Sequence, residues 1–196
     1  MIAYPIGKSL YLNITNRCTN NCRFCVRKLS PGVAGYDLQL DEEPSVEEII
    51  DAVGDTSAYD EVVFCGYGEP LLRLDAVKEI SRWIKDRGTP VRVNTNGLAN
   101  LFHGRNIVPE LAGLVDAISV SLNAENPDQY AAICSPVYGK DSYPAVVEFI
   151  KECKNHIPWV QVSVVDVPEV DLDRCRAAAR ELGVNFLVRH YNPKKY

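Results

Sequence analysis

The segment Leu10-Tyr11-Leu12-Asn13-Ile14-Thr15-Asn16-Arg17-Cys18-Thr19-Asn20-Asn21-Cys22-Arg23-Phe24-Cys25 joins an apolar run to three closely spaced cysteines. The first five residues have the length and character of a buried strand. The cysteines follow directly after that strand, in the order Cys-x-x-x-Cys-x-x-Cys. Three thiolates at this spacing suit three corners of a cubane iron–sulfur cluster, whose usual complement is four cysteines. The remaining iron then lacks a protein ligand and is open to a small molecule.

The same alternation continues along the chain. Strand candidates are Leu10–Ile14, Glu61–Cys65, Val91–Thr95, Ala117–Ser121, Val160–Val165 and Phe186–Arg189. Their β-branched, mostly uninterrupted apolar character predicts parallel strands buried on both faces. Helices lie between them. Ser45-Val46-Glu47-Glu48 reads as a capping box, with Val46, Ile49, Ile50 and Val53 on one face. A second helix runs from Leu74 to Asp86 and stops at Gly88 and Pro90. Asn126-Pro127 reads as an N-cap with proline in the first helical position. Val146, Val147, Ile150 and Cys153 mark another apolar helical face, and a last helix spans Asp171 to Leu182 before Gly183.

Six strands separated by helices imply right-handed crossovers and a parallel sheet. At 196 residues the chain is too short for a complete eight-fold barrel, which takes about 250. The expected fold is therefore α/β, a partial (βα)6 TIM-like barrel with parallel strands, forming a single domain over residues 1–196. A long polar loop, Val26 to Pro44, precedes the first helix.

With 21 basic and 26 acidic residues the net charge is −5, which argues against a nonspecific nucleic-acid binder. No apolar stretch approaches a membrane span, and the start Met1-Ile2-Ala3-Tyr4-Pro5 lacks a secretion signal. Seven cysteines are then expected as reduced thiols in the cytoplasm. Cys65, Cys134, Cys153 and Cys175 are scattered singly and form no second cluster motif.

Sites in parallel α/β folds gather at the carboxyl ends of strands. Gly66-Tyr67-Gly68-Glu69-Pro70 follows the second strand candidate, Asn96-Gly97 the third, and Ser119, Ser121 and Asn123 belong to the end of the fourth. Glycines in these loops would let backbone approach a ligand, and the polar side chains could hydrogen-bond a ribose.

With these segments on one mouth, the chain resembles the radical S-adenosylmethionine (radical SAM) superfamily, whose signature Cys-x-x-x-Cys-x-aromatic-Cys is met by Cys18, Cys22, Phe24 and Cys25. The resemblance covers nearly the whole chain, and that family's minimal core is a partial (βα)6 barrel. It implies a [4Fe-4S] cluster on Cys18, Cys22 and Cys25 and S-adenosyl-L-methionine on the open iron. It further implies reductive cleavage to a 5′-deoxyadenosyl radical that abstracts hydrogen from a substrate, with electrons from an external donor. Tyr67-Gly68-Glu69-Pro70 is similar to the family's Gly-Gly-Glu-Pro segment that holds the methionine amino group, with tyrosine in place of the first glycine. By the same resemblance Phe24 lies near adenine, Ser121 and Asn123 meet the ribose, and Asn96 joins the cofactor-binding set. No side chain is assigned acid–base catalysis. Within the family the chain is most similar to the small radical SAM proteins associated with TatD-type hydrolases. The Leu-Asn-Ile-Thr-Asn-Arg-Cys-Thr opening, the Gly-Tyr-Gly-Glu-Pro segment and the short length carry that likeness. It implies a functional link to such a hydrolase.

Alternatives stay open. A zinc site would need a fourth ligand, from His103, His156 or Cys65. An activating enzyme that places a glycyl radical on a partner protein, or a non-enzymatic iron–sulfur or zinc module, would use the same cysteines. Glu69 is expected to orient its loop or to accept from the methionine ammonium. Cys65, Cys153 and Cys175 read as core, and Trp83 and Trp159 as packing residues. Arg189 and His190, with Arg23, Arg27 and Lys28, would suit an anionic group on an unknown small-molecule or peptide substrate, or else pair with local carboxylates. The tail after Tyr191 reads as a solvated end.

Overall fold

The computed structural model describes residues 1–28 and 33–191, so the tail at 192–196 and part of the polar loop lie outside the described residues. One sheet carries seven strands in chain order: β1 (Ala3–Ile6), β2 (Ser9–Leu12), β3 (Glu61–Phe64), β4 (Val91–Thr95), β5 (Ala117–Ser121), β6 (Trp159–Val165) and β7 (Asn185–Arg189). From β2 to β7 every neighbour is parallel, which gives the six strands expected from the sequence. β1 is an addition. It pairs antiparallel with β2 through Gly7-Lys8, where Gly7 takes a left-handed φ of 60° that suits a two-residue hairpin turn. As β1 ends the strand order, Pro5 has no second ladder to interrupt.

The crossovers carry α1 (Val46–Val53), α2 (Leu74–Lys85), α3 (Ala99–His103), α4 (Pro127–Cys134), α5 (Ser142–His156) and α6 (Leu172–Leu182). Local chemistry sets their ends. Ser45 Oγ accepts from the Glu48 amide at 3.1 Å while the Glu48 carboxylate accepts from the Ser45 amide at 2.7 Å, a reciprocal cap that contributes about 1 kcal/mol. Asn126 caps α4 by accepting from Gln129 N at 2.9 Å, and Gly183 ends α6 in the left-handed region. Among the described residues no helix is long and apolar enough to cross a membrane.

The two faces of the sheet differ. Val62, Phe64, Val93, Ile118, Val120 and Val162 are buried in one cluster with Ile80, Ile84, Phe149 and Ile150 of the covering helices. Most of the residues alternating with them are polar, the buried Val63 and the half-buried Ala117 being apolar. Arg92 Nη2 and Nε meet the Glu61 carboxylate at 2.7 and 2.9 Å, Arg92 Nη1 donates to Asn94 Oδ1 at 2.8 Å, and Gln161 donates to Ser119 at 3.2 Å. The expectation of strands buried on both faces holds for β3, the middle of β5 and the end of β6, and is corrected at β4 and β7. β4, Val-Arg-Val-Asn-Thr, alternates because its inner face looks into a partly open concavity and not onto a second layer of helices. Trp159 lies on this open side, 40% exposed, and is not the packing residue expected.

Candidate functional site

The chain leaves β2 through Asn13, a buried asparagine that ties three segments. Its amide nitrogen donates to Leu38 O at 2.7 Å and Met1 O at 3.1 Å, and its oxygen accepts from Tyr67 N at 2.9 Å. The loop that follows lies against the β3 loop so closely that the latter needs glycine. A Cβ on Gly66 would sit 2.2 Å from Asn13 Oδ1, and one on Gly68 would sit 2.3 Å from Thr15 O and 2.5 Å from Arg17 O. Neither glycine has a left-handed φ, and neither does Tyr67. These glycines therefore serve the packing of two protein loops, where the sequence suggested room for a ligand.

The cysteine loop is held on its other side by the last turn of α4. Asn21 N donates to Cys134 O and Arg23 N to Ile133 O, each at 2.9 Å, so Cys22 is bracketed by two backbone bonds. Asn20 is buried and its amide nitrogen donates to the Tyr130 hydroxyl at 3.0 Å. Lys28 Nζ caps Asn21 O at 3.0 Å.

Above the strand ends lies a cavity of about 220 Å³ whose wall includes Cys18, Cys22, Cys25, Phe24, Tyr67, Asn96, Ser121 and Asn123. A second cavity, about 240 Å³, opens beside it between Phe24, Ile133, Val167 and Tyr191 and shares Phe24 and Tyr191 with the first. Gly68 and Glu69, also singled out from the sequence, are not in the wall. Glu69 is buried beneath it, accepting from Asn96 N at 2.6 Å, Thr95 Oγ1 at 2.7 Å and Leu71 N at 3.1 Å. The carboxylate thus clasps the β4 loop to the β3 loop. Burial, opposed by these three donors, pushes its pKa up to about 7.

The thiols sit in unequal surroundings. Burial and the nearby Glu69 carboxylate push Cys18 up to about 11, although the Asn20 amide donates to its sulfur at 3.4 Å. A hydrogen bond from the buried Cys134 thiol outweighs burial and lowers the pKa of Cys22. Cys134 in turn keeps its proton and accepts from the Asn123 amide at 3.7 Å. Asn96 reaches both Cys18 Sγ, at 3.7 Å, and Thr19 Oγ1, at 2.9 Å. Sequence reasoning passed over Cys134, because nothing local marks it: its place beside Cys22 comes from α4 docking on a loop more than a hundred residues earlier.

Several cations have partners. Arg23 pairs with Glu169 at 3.2 Å and His190 with Asp166 at 2.6 Å, as the salt-bridge alternative anticipated. Arg189 donates to Ser121 Oγ at 3.1 Å and reaches Asn123 Oδ1 at 3.5 Å on the cavity wall. Cys153 and Cys175 are buried in the core; Cys65 is half-buried beyond the end of β3. His103 Nε2 lies 2.8 Å from Leu71 O and His156 beside Glu152, neither in the cavity wall.

The donor set fits an iron–sulfur cluster better than a single ion. Among the described residues no three His, Cys, Asp or Glu side chains converge tightly enough to hold one metal ion. A cubane spreads its cysteines over separate irons, and three free thiols on one wall with N–H groups aimed at sulfur suit it.

Comparison with known proteins agrees. A family model described as the radical SAM superfamily matches residues 12–182. A putative glycyl-radical enzyme activating enzyme of Methanocaldococcus jannaschii is 25% identical over 98% of this chain and 77% of its own length. A probable GTP 3′,8-cyclase of the same organism is 33% identical over 96% of this chain but 60% of its own length. A third relative there is matched over 52% of its length, so the chain spans well under the whole of most of these relatives. A radical SAM methyltransferase from Sphaerobacter thermophilus shares the fold, with a TM-score of 0.56 at 15% identity over 96% of this chain and 68% of that one.

Proposed function

Because the chain belongs to the radical SAM superfamily, we propose that it is a radical SAM enzyme whose Cys18, Cys22 and Cys25 hold a [4Fe-4S] cluster. The observation that supports this most is the single cavity wall shared by the three cysteines with Phe24, Tyr67, Asn96, Ser121 and Asn123. When bound, the cluster and S-adenosyl-L-methionine supply reductive cleavage to a 5′-deoxyadenosyl radical able to abstract hydrogen from substrate. The chain's own residues bind, orient and exclude water. Phe24 offers a ring between the two cavities, suited to stacking adenine. Ser121, Asn96 and Asn123 place polar groups on the wall that are also engaged within the protein, by Arg189, by Cys18 and Thr19, and by Cys134 and Arg189, and so serve the frame of the site as much as the ribose. Gly68 and Glu69 act from beneath, by holding the β3 loop against the cysteine loop and the β4 loop.

The substrate is a small molecule or peptide; Arg189 is the cavity cation through which an anionic group would be recognised. Seven free cysteines suit a reducing cytoplasm. The Leu12–Thr19 segment and Gly66–Pro70 support placing the chain with the TatD-associated proteins, with a hydrolase of that type as a functional partner. Protein reconstituted with iron and sulfide without oxygen and given a strong reductant should form 5′-deoxyadenosine from S-adenosyl-L-methionine. Cys18→Ala should abolish that product, and its retention would refute the ligand assignment. A second reading, an activating enzyme, is favoured by the relative of that description. It predicts a glycyl-radical signal by electron paramagnetic resonance on addition of a partner protein.

A further inference from the structure

The three thiols that would hold the cluster meet donors of different kinds. Cys18 receives the neutral N–H groups of Asn20 and Asn96 at 3.4 and 3.7 Å. Cys22 faces the neutral thiol of Cys134. Cys25 receives Nε–H of Arg27 at 3.4 Å, and this donor carries a full charge. Arg27 sits in the turn Val26–Lys28, two residues beyond the sulfur it meets, and a second bond from Nη1 to Asn16 O at 2.9 Å fixes its guanidinium plane. It is half-buried and is not part of the cavity wall. The guanidinium therefore stands behind Cys25, in contact with the sulfur and away from the space in which a small molecule would bind.

We propose that Arg27 is a positioning residue that raises the reduction potential of the cluster through the Cys25 sulfur. This rests on the reading of Cys18, Cys22 and Cys25 as its ligands. Reduction adds one negative charge that spreads onto the sulfurs, so a donor and a positive charge at one sulfur stabilise the reduced form more than the oxidised one. A charge-assisted bond of this kind is about twice as strong as a neutral one. The fork geometry that lets one group serve both Cys25 Sγ and Asn16 O belongs to arginine and not to lysine. The consequence is an uneven cluster: the hydrogen-bond donor at the Cys25 corner is charged, while the donors to the other two sulfurs are neutral.

The test is a redox titration of anaerobically reconstituted protein, followed by the paramagnetic signal of the reduced cluster, in wild type, Arg27→Leu, Arg27→Gln and Arg17→Gln. Arg17 is a solvent-facing control paired with Glu43. At the wild-type midpoint, Arg27→Leu should lower the ratio of reduced to oxidised cluster about tenfold, which is 59 mV for a one-electron couple. Arg27→Gln, which keeps a donor but no charge, should fall between, and Arg17→Gln should stay within about twofold of wild type. Wild-type ratios in both Arg27 variants at full iron content, or an equal fall in Arg17→Gln, overturn the proposal. Should Arg27→Leu fail to keep iron, Arg27→Gln gives the reading. Loss of iron from both, with unchanged thermal unfolding, would make Arg27 a holder of the cluster and also overturn it. A wild-type protein that assembles no cluster instead refutes the function on which the inference rests.

Discussion

The outer and inner faces of the sheet are built from the same strands and do opposite work. On the outer face Val93, Ile118, Val120 and Val162 are buried under helices with no exposed area, and dispersion and water exclusion hold the fold together there. On the inner face Arg92 bonds to Asn94 and Gln161 to the buried Ser119, and Arg92, Asn94 and Gln161 remain partly open to solvent. Stability is concentrated on one side of the backbone, and the other side is left polar, leading upward to the cavity. The rim couples the two, because each loop starts from a strand whose outer residues cannot shift.

The largest expected effect lies on the outer face. Ile118→Ala should destabilise by about 2–5 kcal/mol in urea unfolding, since the site is sealed by helices and cannot collapse fully. A smaller cost would show that the outer face is loosely packed. Next is Glu69, the carboxylate under the rim. Its pKa is raised by burial to about 7 in the folded protein against 4.5 for an ordinary glutamate. Between those values the unfolded chain has lost a proton that the folded chain keeps, so stability from this group is full below pH 4.5 and falls as pH rises towards 7. Cluster-free wild type should lose roughly 3 kcal/mol more than Glu69→Gln between pH 4.5 and pH 8, at 1.4 kcal/mol per pKa unit. Parallel pH profiles for the two proteins would remove Glu69 as their cause. The smallest effect is Ser119→Ala, on the inner face beside Ile118. It should change stability by no more than about 0.5 kcal/mol, because the amide of Gln161 that it frees can bond water. A cost matching that of Ile118→Ala would erase the difference between the faces.

Where neighbours in sequence decide the structure, the sequence was readable. All six parallel strands and the caps at Ser45, Asn126 and Gly183 stand where their residues suggest. β1 was missed because four residues containing a proline carry too little pattern, and it is a strand only by virtue of its pairing with β2. The inner polar face was readable in Val-Arg-Val-Asn but was outweighed by the apolar runs of β3 and β6. The cysteine loop was legible as chemistry. Its supports were not: Cys134, Asn20 with Tyr130, and Arg27 with Asn16 depend on contacts between distant segments, which no spacing reveals.

The backbone bonds from Asn21 and Arg23 to the end of α4 bear on how a metal centre could be acquired. A loop of this kind, free in solution, would surrender about 1–2 kcal/mol per residue of backbone entropy on closing around a cluster. Here the two bonds to α4 offset part of that cost. Less metal affinity is then spent on shaping the polypeptide than in small zinc domains that fold only when loaded. The socket is thus tied to the seat of α4, so that whatever loosens that helix loosens the grip on the centre as well.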